Sequence, residues 1–219
     1  MKRIFLSGMF LLCGTAAVLA QDAGKQALRF GITAGGASSH VATSSFGTKN
    51  TSKSIFSFPA GIYLQADISP HVYVQPSLLY INKGGDHTKA TISGDAQLYY
   101  AQLPVDILYA PSIVQQRLFI GAGPYLAYGI DGELDGETDL AYTYKAFRDN
   151  PDREQDNVLN RIDWGLDIRG GVYLTHQISL TAFADIEMND CLHIRNSNAD
   201  YFKNRTYGLS AGYTFGSRK

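Results

Sequence analysis

Residues 161–175, RIDWGLDIRGGVYLT, separate into two sets when every second one is taken. Ile162, Trp164, Leu166, Ile168, Gly170, Val172 and Leu174 are apolar or small. Arg161, Asp163, Gly165, Asp167, Arg169, Gly171, Tyr173 and Thr175 are charged, small or polar. A repeat of two residues marks a strand rather than a helix. Strands of water-soluble domains usually end after about five or six residues. A tilted strand that crosses a bilayer needs about 9–11, apolar toward lipid and polar toward the interior.

The same alternation recurs along the chain. It predicts strands over residues 28–34, 55–68, 72–80, 97–109, 118–130, 178–188 and 207–215, with outward faces such as Phe56, Phe58, Ile62 and Leu64, or Leu118, Ile120, Leu126 and Tyr128. Residues 35–53, rich in Ser, Thr and Gly, read as a loop, as do 82–95, 131–160 and 189–203. Ser69-Pro70, residues 111–115 and His176-Gln177 read as short turns. Long and short connections therefore alternate strictly. Bacterial transmembrane barrels have short periplasmic turns, long external loops and an even number of strands. The pattern predicts an all-β chain, an eight-stranded antiparallel up-and-down transmembrane β-barrel. Leu140, Tyr142 and Tyr144 also alternate, and predict either a short strand projecting above the membrane or part of a ten-stranded barrel.

Aromatic placement supports the crossing. Of 14 Tyr, 11 Phe and 1 Trp, Tyr80, Tyr99, Tyr128, Trp164 and Tyr207 fall outward at the loop ends of their strands. Tyr109, Tyr213 and Phe215 fall outward near the opposite ends. Two such belts match the two interfaces of a bilayer. Pro59, Pro76, Pro104 and Pro124 lie inside the proposed strands. Proline gives the ladder no N–H, so bulges or strand ends are expected there.

Composition adds the compartment. Lys2 and Arg3, an apolar run over residues 4–12 and Val18-Leu19-Ala20 predict a signal peptide over residues 1–20, leaving residues 21–219 as the barrel domain. Cys13 follows Leu12, where a lipoprotein signal needs a small residue. With Cys13 removed, Cys191 stands alone, so neither an internal disulfide nor a cysteine metal site is expected. A formal net charge of −1 gives no electrostatic footprint for nucleic acid.

Certain stretches carry a resemblance: residues 74–80, VQPSLLY, followed by Lys83-Gly84; residues 100–105, YAQLPV; residues 121–125, GAGPY; and the terminal GLSAGYTF of 208–215. Across residues 28–215 the chain resembles the small outer-membrane β-barrel proteins often labelled porin-family, similar in shape to OmpX and the OmpA barrel. The resemblance implies a bacterial outer-membrane location and insertion by the barrel-assembly machinery. It accounts for the recurring prolines, and its terminal aromatic signal falls at Phe215, here followed by four more residues. It implies no single activity.

The inward face predicts a polar network of Arg29, Asp67, Asp106, Arg117, Asp163, Asp167, Arg169, Asp185 and Glu187. Eight strands enclose little more than their own side chains, so these charges must pair. Across the short turn at His176-Gln177, Arg169 is expected opposite Asp185, and Asp167 opposite Glu187, with Arg29 or Arg117 nearby to offset the repulsion. The acidic stretch 131–139 partly resembles a calcium loop, but Tyr142 stands where a bidentate acid is needed, so no metal is expected. Among His40, His71, His87, His176 and His193, only Asp86–His87 and Asp190–His193 offer acid–base pairs, with no nucleophile elbow or phosphate loop. No catalytic residue, cofactor or metal is assigned. The expected function is a non-enzymatic barrel with a largely plugged lumen. Its lipid partners lie around it, and its polar loops contact an extracellular or envelope protein. A narrow channel and a loop-based enzyme are the alternatives.

Overall fold

The structure, a computed structural model, describes residues 28–45, 48–86, 96–111, 117–136, 142–147, 160–189 and 199–215. The predicted signal peptide, Cys191, His87, Asp190 and His193 lie outside the described residues. Eleven strands occur among them: β1 (Leu28–Ser45), β2 (Thr48–Thr51), β3 (Ile55–Ser57), β4 (Ala60–Ser69), β5 (Val72–Gly85), β6 (Ala96–Tyr109), β7 (Leu118–Gly136), β8 (Tyr142–Lys145), β9 (Ile162–Tyr173), β10 (Ile178–Glu187) and β11 (Ala199–Phe215).

They form eight staves. Antiparallel pairing runs β1–β4–β5–β6–β7–β9–β10–β11, and β11 returns to β1 from Phe30↔Phe215 to beyond Ala42↔Lys203, which closes the barrel. The short strands β2 and β3 pair with β1 above β4, and β8 pairs with β7 above β9. Leu140 lies outside the described residues; Tyr142–Lys145 is the projecting strand, and the staves number eight rather than ten.

Burial follows the alternation. Along β6 every inward side chain from Gln102 to Leu108 is buried while Leu103, Val105, Ile107 and Tyr109 are exposed. The outward face of the barrel is apolar and the inward face is largely polar, the reverse of a soluble sandwich.

Three differences from the sequence reading have clear causes. First, residues 35–45 are strand, not loop, because β1 continues its alternation, with Ala37, Ser39 and Val41 buried, and pairs with β11 throughout. With 18, 19 and 17 residues, β1, β7 and β11 are nearly twice the length that crosses a bilayer. Small and hydroxyl residues suggest a loop locally, but a partner strand takes up their backbone groups. Likewise β7 runs through Asp131–Gly136, within the stretch read as a loop.

Second, only Pro59 falls at a strand end, between β3 and β4. Pro76, Pro104 and Pro124 sit within strands with no inserted residue. Each leaves a two-residue gap in one ladder: at Leu64-Gln65 beside Pro76, at Ser77-Leu78 beside Pro104, and at Val105-Asp106 beside Pro124. The register is the same on both sides of each gap, so the missing N–H removes bonds without slipping the strand.

Third, Asp167 faces Asp185, Arg169 faces Phe183 and Glu187 faces Gly165. The turn occupies Leu174–Gln177, where the Thr175 hydroxyl accepts bonds from the N–H groups of Gln177 (3.1 Å) and Ile178 (2.9 Å). This side-chain-supported turn moves the pairing by two residues from the one expected.

Leu166 sits outward in mid-strand, level with Ile186 and Pro124. Leu166→Arg is expected to lower folding stability in lipid vesicles by about 2–4 kcal/mol, the cost of a lipid-facing cation near mid-bilayer. Urea titration followed by Trp164 fluorescence checks it; an unchanged midpoint would mean the side chain does not face hydrocarbon.

Candidate functional site: the packed lumen and the external rim

The lumen is layered. At the loop end Val41, Ile81, Leu98, Tyr100, Tyr125 and Phe147 form a buried apolar cluster. At the turn end Tyr73, Leu108, Ala110, Phe119 and Tyr173 form another. Charged and amide side chains occupy the space between.

Ala146 and Phe147, which follow β8, pack into the loop-end layer. The Phe147 ring packs edge-on against Tyr100, with centroids 5.6 Å apart. Ala146 N–H donates to Gly132 O (2.8 Å), and the Arg161 guanidinium donates to Phe147 O and to Gly129 O (3.2 Å). Glycine is needed beneath the ring, since a Cβ at Gly129 would come within 2.6 Å of Phe147. Gly84, at φ 145°, lets β5 run against Ala96, whose carbonyl would meet a Cβ at 1.9 Å.

Lys83 is the residue the sequence reading missed. It fell in a segment taken for a polar loop, yet it is fully buried, and its Nζ lies 3.1 Å from Asp163 Oδ2. Tyr125 OH donates to the other Asp163 oxygen (3.2 Å), and the ammonium sits 4.4 Å from the Tyr125 ring centroid. The available signal was the continued period of two through Ile81 and Lys83.

Below this pair, Arg169 donates twice to Asp167 (2.8 and 2.7 Å) and its Nε lies 3.0 Å from Asp106 Oδ2. Gln102 Nε2 donates to Asp185 (2.8 Å), and Asn204 N–H donates to Glu187. Arg29 forms a two-pronged pair with Asp67 near the turn-side rim, its guanidinium over Tyr73. Arg117 does not join the network: it precedes β7 at the turn-side rim and is exposed, because alternation no longer points into a closed space there. The buried middle layer holds Asp106, Asp163, Asp167, Asp185 and Glu187 against Lys83 and Arg169. Neutral donors from Gln102, Tyr125 and the Asn204 backbone add bonds to three of these acids, while Asp106 Oδ1 and Asp185 Oδ1 accept none. Among the described residues, cavities of about 30 Å³ include one beside Tyr63, Gln65 and Tyr173 and another beside Asp167 and Asp185. Each has room for about one or two waters.

Outside, Tyr80, Tyr128, Trp164 and Tyr207 are exposed at the loop ends of their strands, with Tyr99 half-buried and stacked on Tyr80 at 6.0 Å. Tyr109, Tyr213 and Phe215 are exposed at the turn end, where Phe215 stacks on Phe30 across the closing seam at 5.6 Å. His71 lies at the turn after β4 and His176 in the turn after β9, while His40 faces outward on β1. Among the described residues no cluster of three or more His, Cys, Asp or Glu side chains could hold a metal ion.

Residues 19–189 match the model of a family described as "Outer membrane protein beta-barrel domain". No curated protein matches the sequence. Solved structures similar to the chain include Ail, the attachment invasion locus protein of Yersinia pestis, solved in complex with the heparin analogue sucrose octasulfate (14% identity, 86% of this chain and 99% of that one, TM-score 0.49). Neisserial surface protein A (12%, 85% and 97%, TM-score 0.47) and Escherichia coli outer membrane protein W (14%, 87% and 99%, TM-score 0.45) are also similar.

The buried pair sets a measurable energy. Lys83→Met strands the Asp163 carboxylate and is expected to destabilise the barrel by about 3–5 kcal/mol. The double variant Lys83→Met/Asp163→Leu is expected to recover most of that loss. Urea unfolding of the four proteins in vesicles gives the coupling directly; a double variant as unstable as the single would refute it.

Proposed function

Because the chain belongs to the outer membrane protein beta-barrel domain family, we propose that this small eight-stranded barrel of the bacterial outer membrane is non-enzymatic, keeps its lumen closed, and acts through its external rim. The observation that carries the reading is the filled lumen, with apolar layers above and below an ion-paired middle. A pore needs a continuous wet path, and the cavities beside Gln65 and Asp167 each hold only about one or two waters. The upper parts of β1 and β11, paired with each other, and of β7, paired with β6 and β8, prolong the barrel wall above the bilayer. A wall of paired strands offers a partner protein a fixed surface at little ordering cost.

In this reading the two aromatic sets anchor the barrel at the two interfaces, and outer-membrane lipid surrounds the apolar band. The basic, apolar and small-residue segments of residues 2–20 support export through a cleaved signal peptide. The terminal strand ending in Phe215 supports delivery by the barrel-assembly machinery. An extracellular or envelope protein docks on the rim.

A narrow channel is the competing reading, favoured by the hydroxyl and amide side chains around the cavity beside Gln65 and Tyr173. Single-channel recording in planar bilayers separates the two. The closed reading expects no discrete current steps from the purified barrel at any moderate voltage. Regular steps that vanish with protein inactivation would replace it with the channel.

A further inference from the structure

The rim is not electrically uniform. On the closing seam, β1 and β11 place His40 opposite Arg205 and Ala42 opposite Lys203, one step above Ser38 opposite Tyr207. Asn204 and Thr206 are buried, so the alternating Lys203, Arg205 and Tyr207 point outward. Arg205 is exposed, and the His40 ring stacks on Tyr207 at 5.8 Å. Below them Tyr207 and Leu209 are exposed to the hydrocarbon side. The outward neighbour across from Arg205 on β10 is Ile186, and those on β1 beside His40 are Ser38 and Ala42, all uncharged. On another part of the rim, toward the upper end of β7, the exposed residues include Asp131 and Glu133.

Cations directly above an aromatic side chain and an apolar column stand at the headgroup plane of the outer leaflet. A guanidinium matches phosphate oxygens in a two-pronged fork, an ammonium adds a point charge, and a neutral imidazole still offers one N–H. We propose that Arg205, Lys203 and His40 bind the phosphomonoester headgroup of an outer-leaflet lipid, whose acyl chains lie against Tyr207 and Leu209. The site rests on the placement of the barrel in the membrane with its long strands outward. It fixes one side of the barrel, the closing seam, to anionic lipid and leaves the acidic β7 side turned to other neighbours.

The test uses the full mature chain, folded in detergent and read by native mass spectrometry with phosphatidic acid as the probe and phosphatidylcholine as the reference. The wild type is expected to retain phosphatidic acid in preference. Arg205→Gln/Lys203→Gln is expected to weaken retention by about fivefold per cation removed. Arg205→Gln alone is expected to lose about fivefold, whereas Arg117→Gln, the same single charge removed at the exposed turn-side rim away from the seam, is expected to leave retention unchanged. Retention by the double variant equal to wild type, or a loss with Arg117→Gln equal to that with Arg205→Gln, overturns the site. Inorganic phosphate that displaces the lipid at equal concentration marks a soluble-anion site and overturns the lipid assignment. Heat-modifiable gel mobility after insertion into phosphatidylcholine vesicles tests the barrel placement by itself. Insertion without a phosphatidic acid preference leaves the barrel standing and removes only this site, whereas failure to insert removes both.

Discussion

Inside hydrocarbon a backbone has no water to bond, so every N–H and C=O in the crossing segment must find a partner within the protein. The ladder between β1 and β11 meets that demand. Without it, the sheet would end in two bare edges, at the first strand and the last. With it, the number of staves is fixed at eight, and the number of staves sets how much space lies inside. The lumen chemistry follows from that closure. A space this narrow admits side chains and a few waters, so polar groups pointing inward have mainly each other.

That constraint explains the layering. Charges removed from water are costly unless their partners are close and their remaining donors and acceptors are satisfied. Lys83 meets Asp163 with Tyr125 on its other oxygen, and Arg169 bridges two acids from β6 and β9. Apolar layers lie at each end of these pairs. Phe147 finishes the upper layer from a segment that the strands themselves do not supply, held by Arg161 and seated over a glycine.

The prolines show how much redundancy a closed ladder has. Three successive strands each lose bonds beside a proline, yet none slips, because each is held in register by its other neighbour and by the intact pairs on both sides of the gap. A slip of one residue would turn Asp106 to lipid and Val105 to the lumen. The face pattern therefore resists what the missing N–H groups permit. An edge strand in an open sheet would lack the second neighbour.

The eight staves and their facing were legible in the chain alone, because a period of two is a local property and each strand declares its own lipid side. The aromatic positions at the strand ends were legible for the same reason. The extension of β1 into Ser39 and Val41 was not, since its residues favour strand only once β11 lies beside them. Neither was the partnership of Lys83 with Asp163, 80 positions apart, nor the facing of Asp167 and Asp185, set by the Thr175 turn. Sequence determined which way each side chain points; the tertiary structure decided whom it meets there. The pairing register and the curvature that bring distant strands together depend on the closed ring as a whole.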